Sequence, residues 1–144
     1  MSQLVDALNK QVADWNVLFV KLHNFHWYVK GPSFFTLHLK FEELYTEAAT
    51  HIDVIAERIL AIKGQPLATM KDYLAVTTIE EGKGSENAEE MVSEIAKDLT
   101  NIMEDLKKII ELAEGEGDNR TADLFIGLYD GLEKHTWMLN AFLG

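Results

Sequence analysis

Four side chains between residues 38 and 57, His38, Glu42, Asp53 and Glu57, are of the types that hold metal ions, and their spacing decides how they can do so. His38 and Glu42 stand four residues apart, as do Asp53 and Glu57, so on a helix each pair shares a face and can chelate. At about 100° per residue, Glu42 and Asp53 differ by only about 20° around the axis and His38 and Asp53 by about 60°, which places all four on one stripe. Along the axis, however, Glu42 and Asp53 lie about 16 Å apart, too far for a shared ion. One helix therefore carries two half-sites. The pairs His38/Glu57 and Glu42/Asp53 have the same midpoint, between residues 47 and 48. An antiparallel twofold copy of the helix would set His38 opposite Glu57 and Glu42 opposite Asp53, giving two equivalent sites across a symmetric dimer. Thr46 and Ala49 straddle that midpoint as well, and side chains so small allow close approach.

The element that must position these groups is legible from apolar spacing. From residue 34 onward, Leu37, Phe41, Leu44, Ala48, Ile52, Ile55 and Ile59 recur at three and four residues, with Ser33 as the expected N-cap and Gly64 as the stop. The preceding run, Leu4, Leu8, Val12, Trp15, Phe19, Leu22 and Phe25, predicts a long amphipathic helix over 4–29. The Gly31-Pro32 turn folds its end back toward the second helix, so that His26 reaches the His38 end as a further ligand. A linker with a short turn near 69–74 leads to a third long helix over about 85–114, broken by Gly115-Glu116-Gly117-Asp118. A fourth follows with Ala122, Phe125, Leu128, Leu132, Leu139 and Phe142 on its periodic face. Four long helices without strand-like alternation predict an all-α bundle of one domain, residues 1–144, and the long link between the second and third predicts a crossover between parallel neighbours.

Composition narrows the chemistry. The chain has no Cys, which excludes disulfides, zinc-thiolate sites, iron-sulfur ligation and thiol catalysis. A His and carboxylate set without thiolate favours iron or manganese with open positions, and hence oxygen or peroxide chemistry. A formal charge of −11 attracts cations and repels phosphate backbones. No basic start leads into an apolar run, and no stretch reaches the roughly 18 apolar residues of a membrane span, so a cytoplasmic protein without membrane association is expected.

The segment His26-Trp27, then Gly31-Pro32-Ser33-Phe34-Phe35-Thr36-Leu37-His38, Glu42 and Asp53-Val54-Ile55-Ala56-Glu57-Arg58, closely resembles the Dps family of miniferritins, and the likeness extends over nearly the whole chain. The resemblance implies a ferritin-like four-helix bundle with a short helix in its crossover, twelve copies of which form a hollow shell built from twofold dimers. It implies iron ligation by His26, His38 and Glu42 of one chain with Asp53 and Glu57 of its partner, two irons per inter-subunit site. The implied activity is a ferroxidase that oxidises Fe(II), preferentially with hydrogen peroxide, stores ferric mineral and protects against oxidative stress. Trp27 and Trp137 fall beside the site by the same resemblance, and Glu114, Asp118 and Asp123 fall at pores that admit iron, with Asn119 where an acid would be expected. No Glu-x-x-His occurs, which argues against a di-iron centre inside one bundle. DNA shielding at the nucleoid is the alternative function, but only Lys10 and Lys21 are basic before His23, where DNA-binding members carry a Lys-rich tail.

Other residues have ordinary roles. Trp137 is expected to pack along the apolar flank of its helix. His51, about 220° from His38, points away from the stripe. His23 reads as a surface group, His135 has no evident partner, and Glu43 and Glu47 read as solvated glutamates or as mineral-facing ones.

Overall fold

A computed structural model describes residues 2–144. It contains α1 (Gln3–Tyr28), α2 (Phe34–Ala61), the short α3 (Met70–Val76), α4 (Ala88–Gly115) and α5 (Asn119–Leu143), with no strand among the described residues. The expected periodic faces supply the core. Leu8, Leu18, Phe25, Phe41, Ile55, Ile59, Ile95, Leu106 and Phe125 are all fully or almost fully buried, and burying each such side chain stabilises the fold by about 1.5–3 kcal/mol.

The crossover, residues 62–87, runs along α1 from end to end. It is pinned first at Asn9, whose amide donates to Gln65 O and accepts from Leu67 N–H. Next comes Asp14, 1% exposed, which accepts from the Thr77 hydroxyl at 2.7 Å and the Thr78 amide at 3.1 Å. At the far end Gly82 lies so close to α1 that a Cβ would stand 3.0 Å from Asn24 Oδ1 and 3.1 Å from the Phe25 ring. The ion pairs Lys10–Asp105 and Lys21–Asp98 set α4 antiparallel to α1. Because α1 and α2 form a hairpin, α4 is parallel to α2, as the crossover reading expected.

Helix ends depart from expectation in instructive ways. Ser33 precedes α2 but makes no side-chain cap hydrogen bond. At the other end Lys63 takes the left-handed conformation (φ 72°), donating to Leu60 O while Gly64 donates to Ile59 O. This is a Schellman closure with the lysine, not the glycine, in the strained position. Gly64 is required instead for space, since a Cβ there would stand 2.9 Å from both Ile59 and Val5. The third long helix starts at Ala88 and not near 85, because Asn87 and Glu90 form a reciprocal capping box. The turn expected at 69–74 is a helix over Met70–Val76, capped by Thr69.

Candidate metal centre

Gly31, at φ 104°, lets the chain reverse between α1 and α2, and the reversal sets His26 in the last turn of α1 against His38 in the first turns of α2. Their rings stack with centroids 3.7 Å apart and 13° between planes. Each ring is tied to the other residue's backbone: His26 Nδ1 donates to His38 O at 2.7 Å and His38 Nδ1 donates to His26 O at 2.8 Å. A carbonyl only accepts, so Nδ1 carries the proton in each neutral ring and Nε2 keeps its lone pair for a metal. His26 Nε2 lies 3.9 Å from Glu42 Oε1. Ligand atoms of His26, His38 and Glu42 all fall within 4.8 Å of one another, the one such cluster among the described residues.

Asp53 and Glu57 do not join that cluster. Both are exposed farther along the outward face of α2, together with Glu42, Thr46 and Ala49. The same face carries large apolar side chains in the open, Leu39 at 63% exposure and the pair Phe35 at 81% and Leu60 at 57%. That pair also straddles the midpoint between residues 47 and 48. Small residues at the centre, carboxylates flanking them and apolar anchors at the ends make a surface that matches an antiparallel copy of itself.

The remaining expected groups are placed unevenly. Trp27, 68% exposed, lies against His23, with ring centroids 5.3 Å apart. Trp137 is 67% exposed, so the intrachain packing expected for it is absent: its position on α5 points outward, while His135, Thr136 and Leu139 take the buried face. Glu114 and Asp123 are exposed near the α4–α5 turn. Asp118, in contrast, is occupied: it caps α5 through Thr121 and accepts from Arg58 at 3.2 Å. Burial raises its carboxyl, but the Thr121 hydrogen bonds and the Arg58 charge prevail and hold it below its usual range.

Sequence reasoning missed a polar network in the bundle. His135, expected to have no partner, accepts from Lys40 at Nδ1 (3.0 Å) and donates from Nε2 to Glu47 at 3.0 Å. Glu43 is likewise not free, since its carboxylate accepts from Lys40 at 2.8 Å and is held below its ordinary range chiefly by that bond. The Lys40–Glu43 pair is a local i,i+3 contact that spacing along one helix could have revealed, but Lys40 and His135 are 95 residues apart, beyond the reach of any local signal. His51 does point away from the stripe, packing edge-on against Trp15 at 4.7 Å. Burial pushes its imidazole down to about 4. His23 is no plain surface group either, because it stacks on Tyr45 at 3.7 Å.

Fold and cluster together define a class: an antiparallel helical bundle with a long crossover, carrying a compact His–carboxylate cluster at one end of the outward stripe on its second helix. Residues 5–144 match the ferritin-like domain family. The chain is 63% identical over 141 residues to DNA protection during starvation protein 2 of Bacillus anthracis, with 98% of this chain and 97% of that one covered. Its fold superposes on a Dps protein from Bacillus brevis with a TM-score of 0.95, at 50% identity over the full length of both. A Dps protein from Vibrio cholerae O1, described as a member of a broad superfamily of ferritin-like diiron-carboxylate proteins, gives 0.95 at 34% identity, with 99% and 89% covered. The chain belongs to the Dps family of ferritin-like proteins.

Proposed function

We propose that this chain, acting as one domain over residues 1–144, is a ferroxidase subunit of an iron-storing hollow dodecamer built from twofold dimers. Two Fe(II) ions are the substrates at each inter-subunit site. His26, His38 and Glu42 of one chain and the symmetry-related Asp53 and Glu57 of the other hold them. Hydrogen peroxide is the preferred oxidant: two Fe(II) each give up one electron, the O–O bond breaks, and two hydroxide equivalents form beside two Fe(III). Paired irons supply both electrons at once, so no hydroxyl radical leaves the site, and the ferric product is stored as mineral inside the shell. Glu114 and Asp123 lie at the iron entry, with Asp118 bracing it through Arg58 rather than binding ions in transit.

The observation that carries this reading is the division of the ligands. One chain gathers three of them within 4.8 Å and leaves two carboxylates exposed at the matching symmetric position. Titration with Fe(II) under anaerobic conditions, followed by peroxide, is expected to oxidise about two irons per peroxide, as paired one-electron donors require. The Asp53→Ala, Glu57→Ala double variant is expected to lose that fast phase, and unchanged kinetics in it would refute the assignment.

The names of the relatives favour a second reading, DNA protection at the nucleoid. With a formal charge of −11, protection here is chemical, by removing Fe(II) and peroxide, and not by coating the duplex. Among the described residues no helix is long and apolar enough to cross a membrane, and the proposed setting is the cytoplasm.

A further inference from the structure

Two side chains outside the ligand set close the column of rings in which the imidazoles sit. Phe34, the first residue of α2, lies nearly parallel to His38, with centroids 4.9 Å apart and 22° between planes. His38 in turn lies on His26. Tyr45 meets His26 edge-on at 5.3 Å and 88°. Tyr45 is itself held by His23, stacked on it at 3.7 Å, and by the edge of Phe19 at 6.0 Å. His23 is fixed by its Nδ1–H bond to Phe19 O at 2.8 Å.

The torsion that turns an imidazole about its Cβ–Cγ bond has broad wells, so a single Nδ1 hydrogen bond leaves the ring free to swing. A wall on the open side of each ring removes that freedom. The first turn of α2 gains from such support for a second reason: its backbone bonds to Gly31 O and Ser33 O are not joined by a side-chain cap from Ser33, so ring packing adds to what holds the turn that carries His38. Ordering the rings before an ion arrives removes that entropic cost from binding.

We propose that Phe34 and Tyr45 are positioning residues of the metal half-site, holding both imidazoles with Nε2 directed toward Glu42 and thereby setting its affinity for a divalent cation. This rests on the metal-centre reading above. Co(II), titrated anaerobically and followed by its visible absorption, is the probe. Tyr45→Leu and Phe34→Leu are each expected to raise its dissociation constant about tenfold, the scale on which groups supporting metal ligands act, whereas Tyr45→Phe and Phe34→Tyr, which keep the ring, stay within about twofold. In Fe(II) oxidation the half-saturating iron concentration rises in step while the saturated rate changes by less than about twofold. Circular dichroism checks folding, and if Tyr45→Leu does not fold, Phe34→Leu, at a partly exposed helix start, decides. Leucine variants that bind Co(II) as wild type does, or a Tyr45→Phe variant as weak as Tyr45→Leu, would overturn the inference. If His38→Ala titrates like wild type, the metal-centre reading fails as well; if His38→Ala loses binding while the leucine variants keep it, the positioning inference alone fails.

Discussion

The proposed division of the ligands between two chains predicts that two inactive variants restore activity when mixed. Take one variant with His38→Ala and Glu42→Ala and another with Asp53→Ala and Glu57→Ala. In a mixed dimer, the intact His38 and Glu42 of the second variant face the intact Asp53 and Glu57 of the first, so one of the two symmetric sites is whole and the other is doubly broken. Random pairing of equal amounts makes about half of the dimers mixed, so about one quarter of all sites are whole. Each variant alone should fall below about a tenth of the wild-type rate, since even groups that only support metal ligands cost tenfold or more when removed. Glu42, Asp53 and Glu57 are exposed, and truncating such side chains changes stability by less than about 0.5 kcal/mol. His38 adds the loss of one hydrogen bond and of its stacking on His26 and Phe34, about 1 kcal/mol for each of these contacts, a cost a domain of this size withstands, so both variants should fold. The assay is the initial rate of Fe(II) oxidation by peroxide after co-expression or joint refolding of the two chains, with each variant measured alone. A mixture no faster than its components refutes the shared site, because ligands confined to one chain cannot complement. A rate near one quarter excludes any arrangement in which each chain closes its own centre.

Three further outcomes follow from other parts of the molecule. The His51 imidazole ordinarily takes up its proton near 6.5, but in the folded chain only near 4; unfolding therefore binds a proton between those values, and stability present above pH 6.5 falls as pH drops toward 4, by about 3 kcal/mol. Urea midpoints compared between wild type and His51→Gln at pH 7 and pH 4.5 should show the smaller acid loss in the variant, and equal losses would refute the assignment. Removing the buried Asp14 carboxylate, Asp14→Ala, leaves Lys10 paired with Asp105 alone and deprives Thr77 and Thr78 of their acceptor; a loss of about 1–3 kcal/mol is expected in urea unfolding, with faster amide exchange at Thr78 and Ile79. A gel-shift assay of the assembled protein at low salt is expected to show no retardation of duplex DNA, and binding there would restore the shielding reading.

How much of this could be read from the chain depended on whether the signal was local. The long helices follow from apolar residues at three and four spacing, and most of those positions are buried, from Leu8 to Leu139, while Phe19, Ile52 and Leu128 are partly covered and Phe142, in the last turn of α5, is 40% exposed. The own-chain cluster was legible because His26, the Gly31 turn, His38 and Glu42 occupy one short stretch. The helix ends were less so. Ser33 has the right chemistry for a cap but the wrong backbone, at φ −97° and ψ 14°, while the Asn87 and Glu90 pair was an available signal that a start at 85 overlooked. The Lys40–His135–Glu47 link and the ring column around His26 depend on which helices become neighbours, and side-chain spacing along one helix says nothing of that.

The symmetric stripe on α2 lies between those two cases. A twofold axis pairs residues about one midpoint, so a non-local contact leaves a local trace, provided the partner is another copy of the same segment. Groups that carry no metal chemistry fall about the same midpoint as the proposed ligands: Phe35 and Leu60, both more than half exposed. Carboxylates alone would repel across such an axis, since Glu42 and Asp53 of opposite chains bring like charges together. Apolar anchors at the ends offset part of that repulsion through burial, at about 25 cal/mol per Å², and a divalent cation between the carboxylates offsets the rest. On the proposed function, the pairing of chains and the binding of iron are coupled, each supplying what the other lacks, and a dimer without metal is expected to separate more readily than one with it.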